Sequence, residues 1–278
     1  MKLIQLTDKQ RREVQEKELL ILKEIDRICS KENIKYSVCA GTLIGAIRHK
    51  GFIPWDDDID VFMLRDEYMR FREACKKQLG GQFFYQNHDT DPEYYYLFDK
   101  IRLNDTVFKE SYIAKYKIHH GVYVDVFPLD AIPDNRFLFT WQYLRFQFNR
   151  LGVHAKYMDL EARSGKKKKI FSILRALYSP FSLEKLYRRA QAISVKYNGA
   201  PCREVCSFHS TYHTKDRLEK SICEELQRQP FEDMEVWIPS RCDGYLRGIY
   251  GDYMQLPPEE KRHTQHNLAE LSLGETRE

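Results

Sequence analysis

Four carboxylates fall within the five residues Asp56-Asp57-Asp58-Ile59-Asp60, directly before the apolar Val61-Phe62-Met63. Side chains alternate along a β-strand, so Asp58 and Asp60 share one face while Ile59 and Val61 share the other. Two such carboxylates repel each other unless a cation lies between them. The oxygen preference of Mg²⁺, or of Mn²⁺ in its place, suits the pair. A third acid comes from Gly121-Val-Tyr-Val-Asp-Val-Phe-Pro128. There Val122, Val124 and Val126 form one face and Asp125 the other, so a neighbouring strand can bring Asp125 to Asp58 and Asp60 as a third metal ligand. Asp56 and Asp57 read as capping or supporting acids, and Asp130, just after Pro128, as a turn residue.

Phosphate chemistry needs donors beside these acids. Gly41 permits close backbone approach, Thr42 supplies a hydroxyl, and the free N–H groups of the helix opening there favour a phosphate oxygen. Arg48, His49 and Lys50 follow as candidate phosphate contacts. Lys100 and Arg102, alternating outward on a later strand, are additional ones. Acids for a metal and cations for a phosphate point to metal-assisted phosphoryl transfer.

The elements that must hold these residues are legible from periodicity. Thr7-x-x-Gln10 is a capping-box pattern, and Val14, Leu19, Leu22, Ile25 and Ile28 follow at near-helical spacing, predicting a helix over 8–31 that ends near Asn33. Strands are expected at 36–40, 58–64, 83–86, 94–103, 107–110 and 121–127, the last closing at Pro128, with Asp66 capping a helix between the second and third. Residues 1–133 thus form a mixed β-sheet core with flanking helices, an α/β class. Residues 134–278 read as a mainly helical region, with an aromatic helix from Asn135, a polar break at 163–169, more helix to about Tyr197, and a short helix through Tyr245, Leu246 and Ile249. The polar end is expected to fray.

Composition narrows the function classes. The 278 residues are 42% hydrophobic, with 18 Tyr, 16 Phe and 3 Trp, which excludes a disordered tail. A net charge of +4 is too small for a general nucleic-acid binder. No apolar run reaches the roughly 18 residues of a transmembrane helix, and the N-terminus lacks a secretory h-region, so a cytoplasmic location with reduced cysteines is expected. The basic character concentrates at 163–189, where Lys166 to Lys169 precede Ile170, Phe171, Ile173 and Leu174, a pattern suited to peripheral contact with an anionic membrane. Cys202, Cys206, His209 and His213 invite a zinc reading, but on one helix the first and last would lie about 16 Å apart, too far for one ion.

The run Gly41-Thr42 through Asp58-Ile59-Asp60, the later Gly121 to Asp130, and the tail Tyr245-Leu246 with Tyr250-Gly-Asp-Tyr-Met-Gln-Leu-Pro-Pro-Glu-Glu-Lys-Arg262 together resemble the LicD family. The resemblance implies a nucleotidyltransferase-like core onto which the C-terminal motif packs back. It also implies transfer of phosphocholine or a related phospho-alcohol from CDP-choline or another CDP-alcohol. The acceptor would be a cell-surface glycan, such as a teichoic acid or lipopolysaccharide, or a lipid-linked glycan precursor. The superfamily's Gly-Ser turn, Asp-x-Asp and third strand Asp map onto Gly41-Thr42, Asp58 and Asp60, and Asp125, with Thr42 in place of Ser. On this reading Asp125 also accepts the acceptor hydroxyl's proton. Two other classes share the residues: a template-free nucleotidyltransferase that releases pyrophosphate, and a noncatalytic membrane-associated scaffold.

Overall fold

The computed structural model describes residues 3–163, 165–210, 215–264 and 266–274. Helix α1 (Asp8–Glu32) opens with the reciprocal Thr7–Gln10 cap and ends on Asn33, which takes the left-handed conformation at φ 50°. Its stripe of Val14, Ile21, Leu22, Ile25 and Ile28 is wholly buried. The chain then forms β1 (Ser37–Val38), α2 (Ala40–Ile44) and one π-helical turn, Gly45–His49. Next come β2 (Asp60–Leu64), α3 (Arg65–Gln78), β3 (Phe83–Gln86), β4 (Asp99–Leu103), β5 (Val107–Glu110) and β6 (Tyr123–Ala131).

These strands build a mixed sheet in the order β1-β2-β6-β4-β3, with β2 and β6 parallel and the other pairs antiparallel. Asp60 lies opposite Asp125, and Asp125 opposite Lys100, so one row across three strands is charged on one face. By the pleat, Val61, Ile101, Val124 and Val126 face the other way, into the core, where α1 and α3 cover the sheet. That apolar side anchors the strands, and the charged row lies on the opposite face.

The rest of the chain is α4 (Arg136–Tyr157), α5 (Gly165–Leu177), α6 (Leu183–Ser194), β7 (Glu204–Cys206) and β8 (Arg217–Glu219). It ends with α7 (Lys220–Glu224), β9 (Leu226–Phe231), β10 (Met234–Pro239), α8 (Asp243–Tyr250) and β11 (Leu268–Ser272). Strand β7 pairs with the far end of β6 and carries β8. The tail, expected to fray, instead pairs as β11 with β5 and is bridged at Leu268 by Ile4. No helix among the described residues is long and apolar enough to cross a membrane.

Three local expectations change for physical reasons. Strand β2 begins at Asp60: a turn closed by the Asp56 N–H donating to the Ile53 carbonyl, 2.9 Å, ends at Asp56, and residues 57–59, Asp58 among them, follow as irregular chain before the strand. Asp66 lies within the first turn of α3, whose cap position is Leu64. Strand β6 runs through Pro128: β4 pairing ends at Val126 and β7 pairing starts at Asp130, so no antiparallel partner misses the absent N–H. Asp130 is therefore a strand residue. It is fully buried, and it accepts from Arg65 at 2.8 and 2.7 Å and from the Asn198 amide at 2.6 Å.

A close approach governs the π-turn. A Cβ at Gly45 would lie 2.5 Å from the Gly51 carbonyl oxygen, a backbone atom that cannot swing aside. Gly45→Ala is expected to destabilise the fold by about 1–3 kcal/mol, read as a lower urea midpoint; an unchanged midpoint would mean the turn yields freely.

Candidate active site

Thr42 links the two halves of the site. Its Oγ1 accepts the Asp60 backbone N–H at 2.9 Å, while the Cys39 N–H donates to the Asp60 carbonyl at 3.0 Å, so the start of α2 is stitched to the start of β2. Gly41 gives close approach to a carboxylate: a Cβ there would lie 2.6 Å from Asp56 Oδ2. The strained residue is its neighbour Ala40, at φ 48°.

The charged row draws Asp56, Asp58, Asp60 and Asp125 into mutual electrostatic contact. Burial first, then the charges of Asp58, Asp125 and Asp56, push the Asp60 carboxyl well above the usual range. Asp56 rises likewise, through burial, the charge of Asp58 and a hydrogen bond with it. Burial also raises Asp125, opposed by Lys100, whose Nζ donates to Asp125 Oδ1 at 2.5 Å. This is a site of compressed negative charge with all-oxygen donors, the chemistry a hard divalent cation relieves. Among the described residues no three acid, imidazole or thiol groups converge on a single point as a closed ligand set, and Asp125 is held by Lys100.

The expected phosphate contacts divide. Lys100 and Arg102 do not point outward: they are 2% and 0% exposed. They lie on the charged face, where covering segments bury it. Lys100 Nζ sits 3.3 Å from the centre of the Tyr123 ring, with Phe98 and Tyr96 farther out. Arg102 donates to Gln86 Oε1 and the Gly121 carbonyl, each at 2.5 Å, and serves as an internal brace. Arg48 donates to the carbonyls of Tyr253 and Gln255 and, at 3.0 Å, to His49 Nε2, tying the π-turn to the C-terminal motif. Burial, then the charge of Arg48, lowers the His49 pKa. Lys50 is exposed at the end of the turn in the left-handed conformation, φ 57°. The supposed zinc residues do not share a helix, because Cys206 lies on β7; His213 lies outside the described residues.

Three groups come to the site that sequence reasoning passed over. His266, from the segment before β11, approaches Asp57 Oδ1 at 3.1 Å through Nδ1 and Tyr123 Oη at 3.2 Å through Nε2. Against the burial that would depress it, the Asp57 hydrogen bond and the charges of Asp58, Asp57 and Glu110 push its pKa up to about 10. Glu110, buried beside it, accepts the Tyr112 hydroxyl; although burial works against ionisation, Lys100 and His266 hold its carboxyl below the usual range. Glu18 of α1 is 2% exposed, and burial followed by the charges of Asp58, Asp57, Asp56 and Asp60 drives it well upward. Glu18 had a signal, since it interrupts the apolar stripe of α1 between Val14 and Ile21. His266 had none, because only the pairing of β11 with β5 delivers it.

The raised His266 pKa carries a pH consequence. Its contribution to stability is complete below the unfolded imidazole value of ~6.5 and is lost as pH rises through about 10. The gap in urea midpoint between the native chain and His266→Gln is therefore expected to be wide near neutrality and to close above that value. A gap independent of pH would assign His266 a packing role only.

Residues 33–158 match the family model described as LicD/FKTN/FKRP, nucleotidyltransferase domain. Over 265 residues the chain is 29% identical to the lipopolysaccharide cholinephosphotransferase LicD of Haemophilus influenzae, covering 91% of this chain and 96% of that protein. An uncharacterized protein of Rickettsia typhi is 27% identical over 169 residues, 60% of this chain and 50% of its own length. The family match runs from the cap of α1 to the end of α4 and contains Gly41, Thr42, Asp58, Asp60, Lys100 and Asp125, so the residues of the candidate site lie within the stretch that is similar to LicD-family domains.

Proposed function

We propose that the protein is a phosphotransferase that moves phosphocholine, or a related phospho-alcohol, from a CDP-linked donor to a hydroxyl of a cell-surface or lipid-linked glycan, releasing CMP. The observation that carries this reading is the charged row Asp60, Asp125 and Lys100, with Asp56 and Asp58 beside it, inside the stretch that is similar to LicD-family domains. The relative's name, a lipopolysaccharide cholinephosphotransferase, supports phosphocholine and a glycan.

Asp58 and Asp60, with Asp125, would hold Mg²⁺ or Mn²⁺. Bound there, the ion would supply positive charge to offset that of the diphosphate. The chain's own residues do the rest. Thr42, locked to the Asp60 backbone, keeps the acidic strand against the α2 opening. Asp125, with its pKa raised by burial, would take the acceptor hydroxyl's proton as the new O–P bond forms and the bond to CMP breaks. Lys100 steadies Asp125 before and after that transfer. Lys50 and His49, at the end of the π-turn, are the donor-phosphate contacts this reading favours.

Incubating the protein with a glycan acceptor, Mg²⁺ and CDP-choline, CDP-ethanolamine, CDP-glycerol or CDP-ribitol tests the proposal. Acceptor-dependent CMP from at least one donor is expected, abolished by chelation. Pyrophosphate from a nucleoside triphosphate, with no CMP from any donor, would assign nucleotidyl transfer instead.

A further inference from the structure

Nine of the fifteen large apolar side chains that stand exposed among the described residues lie on just two helices, α4 and α5. On α4 the exposed Phe137, Trp141, Leu144, Phe148 and Leu151 recur every three or four residues and form one stripe, from 39% to 78% exposed. The opposite side of the same helix buries Phe139, Tyr143, Phe146 and Val153. A helix apolar on both sides is normally enclosed, and this one is enclosed on one side only. Helix α5, which packs against α4, has no buried residue and presents Ile170, Ile173 and Leu177 at 54%, 54% and 67% exposure. Exposed apolar side chains concentrated on two helices that pack together mark a contact surface.

Charge identifies the occupant. Helices α4 and α5 contain nine Lys and Arg and no Asp or Glu, in a chain whose net charge is +4, so the remainder is −5. Arg136 and Arg145 are exposed beside the α4 stripe, and Lys166, Lys167 and Lys169 are exposed at the start of α5. A second copy seated on this face would set like charges against each other. A bilayer with anionic headgroups offers the opposite charge to the rim and hydrocarbon to the stripe. We infer that the joint face of α4 and α5 is a membrane-docking surface, on which the aromatic and aliphatic stripe enters the headgroup boundary and the lysines bind anionic lipid.

Vesicle flotation of the full chain tests this without reference to any catalytic reaction. Vesicles of phosphatidylcholine mixed with phosphatidylglycerol should carry the protein upward, and those of phosphatidylcholine alone much less. Phe137→Ser/Leu144→Ser, both far exposed, should fold normally, keep Trp141 as reporter, and lower the partition coefficient by about tenfold or more. Replacing Lys166 to Lys169 with Gln should lower it similarly on anionic vesicles only, at about fivefold per lysine at most. Trp141 fluorescence should shift to the blue on binding in the native chain. Equal flotation of native and variant chains, or none of the native chain on anionic vesicles, would overturn the inference. So would a concentration-dependent dimer that Phe137→Ser/Leu144→Ser dissolves, since the stripe would then belong to a second copy.

Discussion

Asp60→Asn is expected to lower turnover on the order of 10³-fold while leaving the protein at least as stable as before. The two halves of that result have one cause. Asp60 sits in register with Asp125 and has a carboxyl pushed well above its usual range by burial and then by the charges of Asp58, Asp125 and Asp56. For an acid whose pKa is raised on folding, protonation favours the native state. Stability is therefore lost as pH rises from the unfolded value of ~3.9 through the folded one, and the penalty is fully present at higher pH. Asparagine removes the charge and the penalty together, while the Thr42 contact, made to the backbone N–H of residue 60, survives. A stabilised, inactive variant whose unfolding temperature no longer rises with Mg²⁺ is the signature of a site that trades stability for function. Activity within tenfold of native, or an undiminished Mg²⁺ response, would remove Asp60 from the reaction.

The sequence made the acidic strand legible because period two is a property of the backbone. The pleat puts Asp60 and Asp125 on one face in any register that pairs them, and the Val122-Val124-Val126 alternation identifies the buried side. The capping box of α1 and the Asn33 terminus were equally local and equally readable. What escaped depends on what covers the sheet. Lys100 and Arg102 alternate away from the core as expected, yet the face they join is roofed by Phe98, Tyr123 and the segment carrying His266, which turns an outward strand face into an interior. Arg48 has the composition of a phosphate contact, but its partners are backbone carbonyls 205 and 207 residues away. Pro128 is a strand breaker only where a partner needs its N–H, and the gap between β4 and β7 is a tertiary fact. Polar residues whose partners lie far along the chain are where local reading stops.

Lys100→Met is expected to destabilise the fold by about 3–5 kcal/mol, because it leaves the Asp125 charge buried and unpaired. The lysine is 2% exposed; its Nζ meets Asp125 Oδ1 at 2.5 Å and rests over Tyr123. Methionine fills much of the same volume without the charge, so lost packing contributes little. The companion variant Lys100→Met/Asp125→Asn separates ion pair from substrate contact. If the pair is the main role, neutralising both partners should recover stability to within about 1–2 kcal/mol of native, while activity stays low because the proposed proton acceptor, a carboxylate, has become a non-basic amide. If Lys100 acted chiefly on the donor phosphates, the single variant would fold with native stability and show a raised KM, and the double variant would recover nothing. Urea midpoints of the three chains, read beside KM and kcat, distinguish these outcomes. Lys100 and Asp125 then act as one unit: the ammonium makes a buried carboxylate tolerable, and on the proposed function that carboxylate is the group that takes the acceptor's proton.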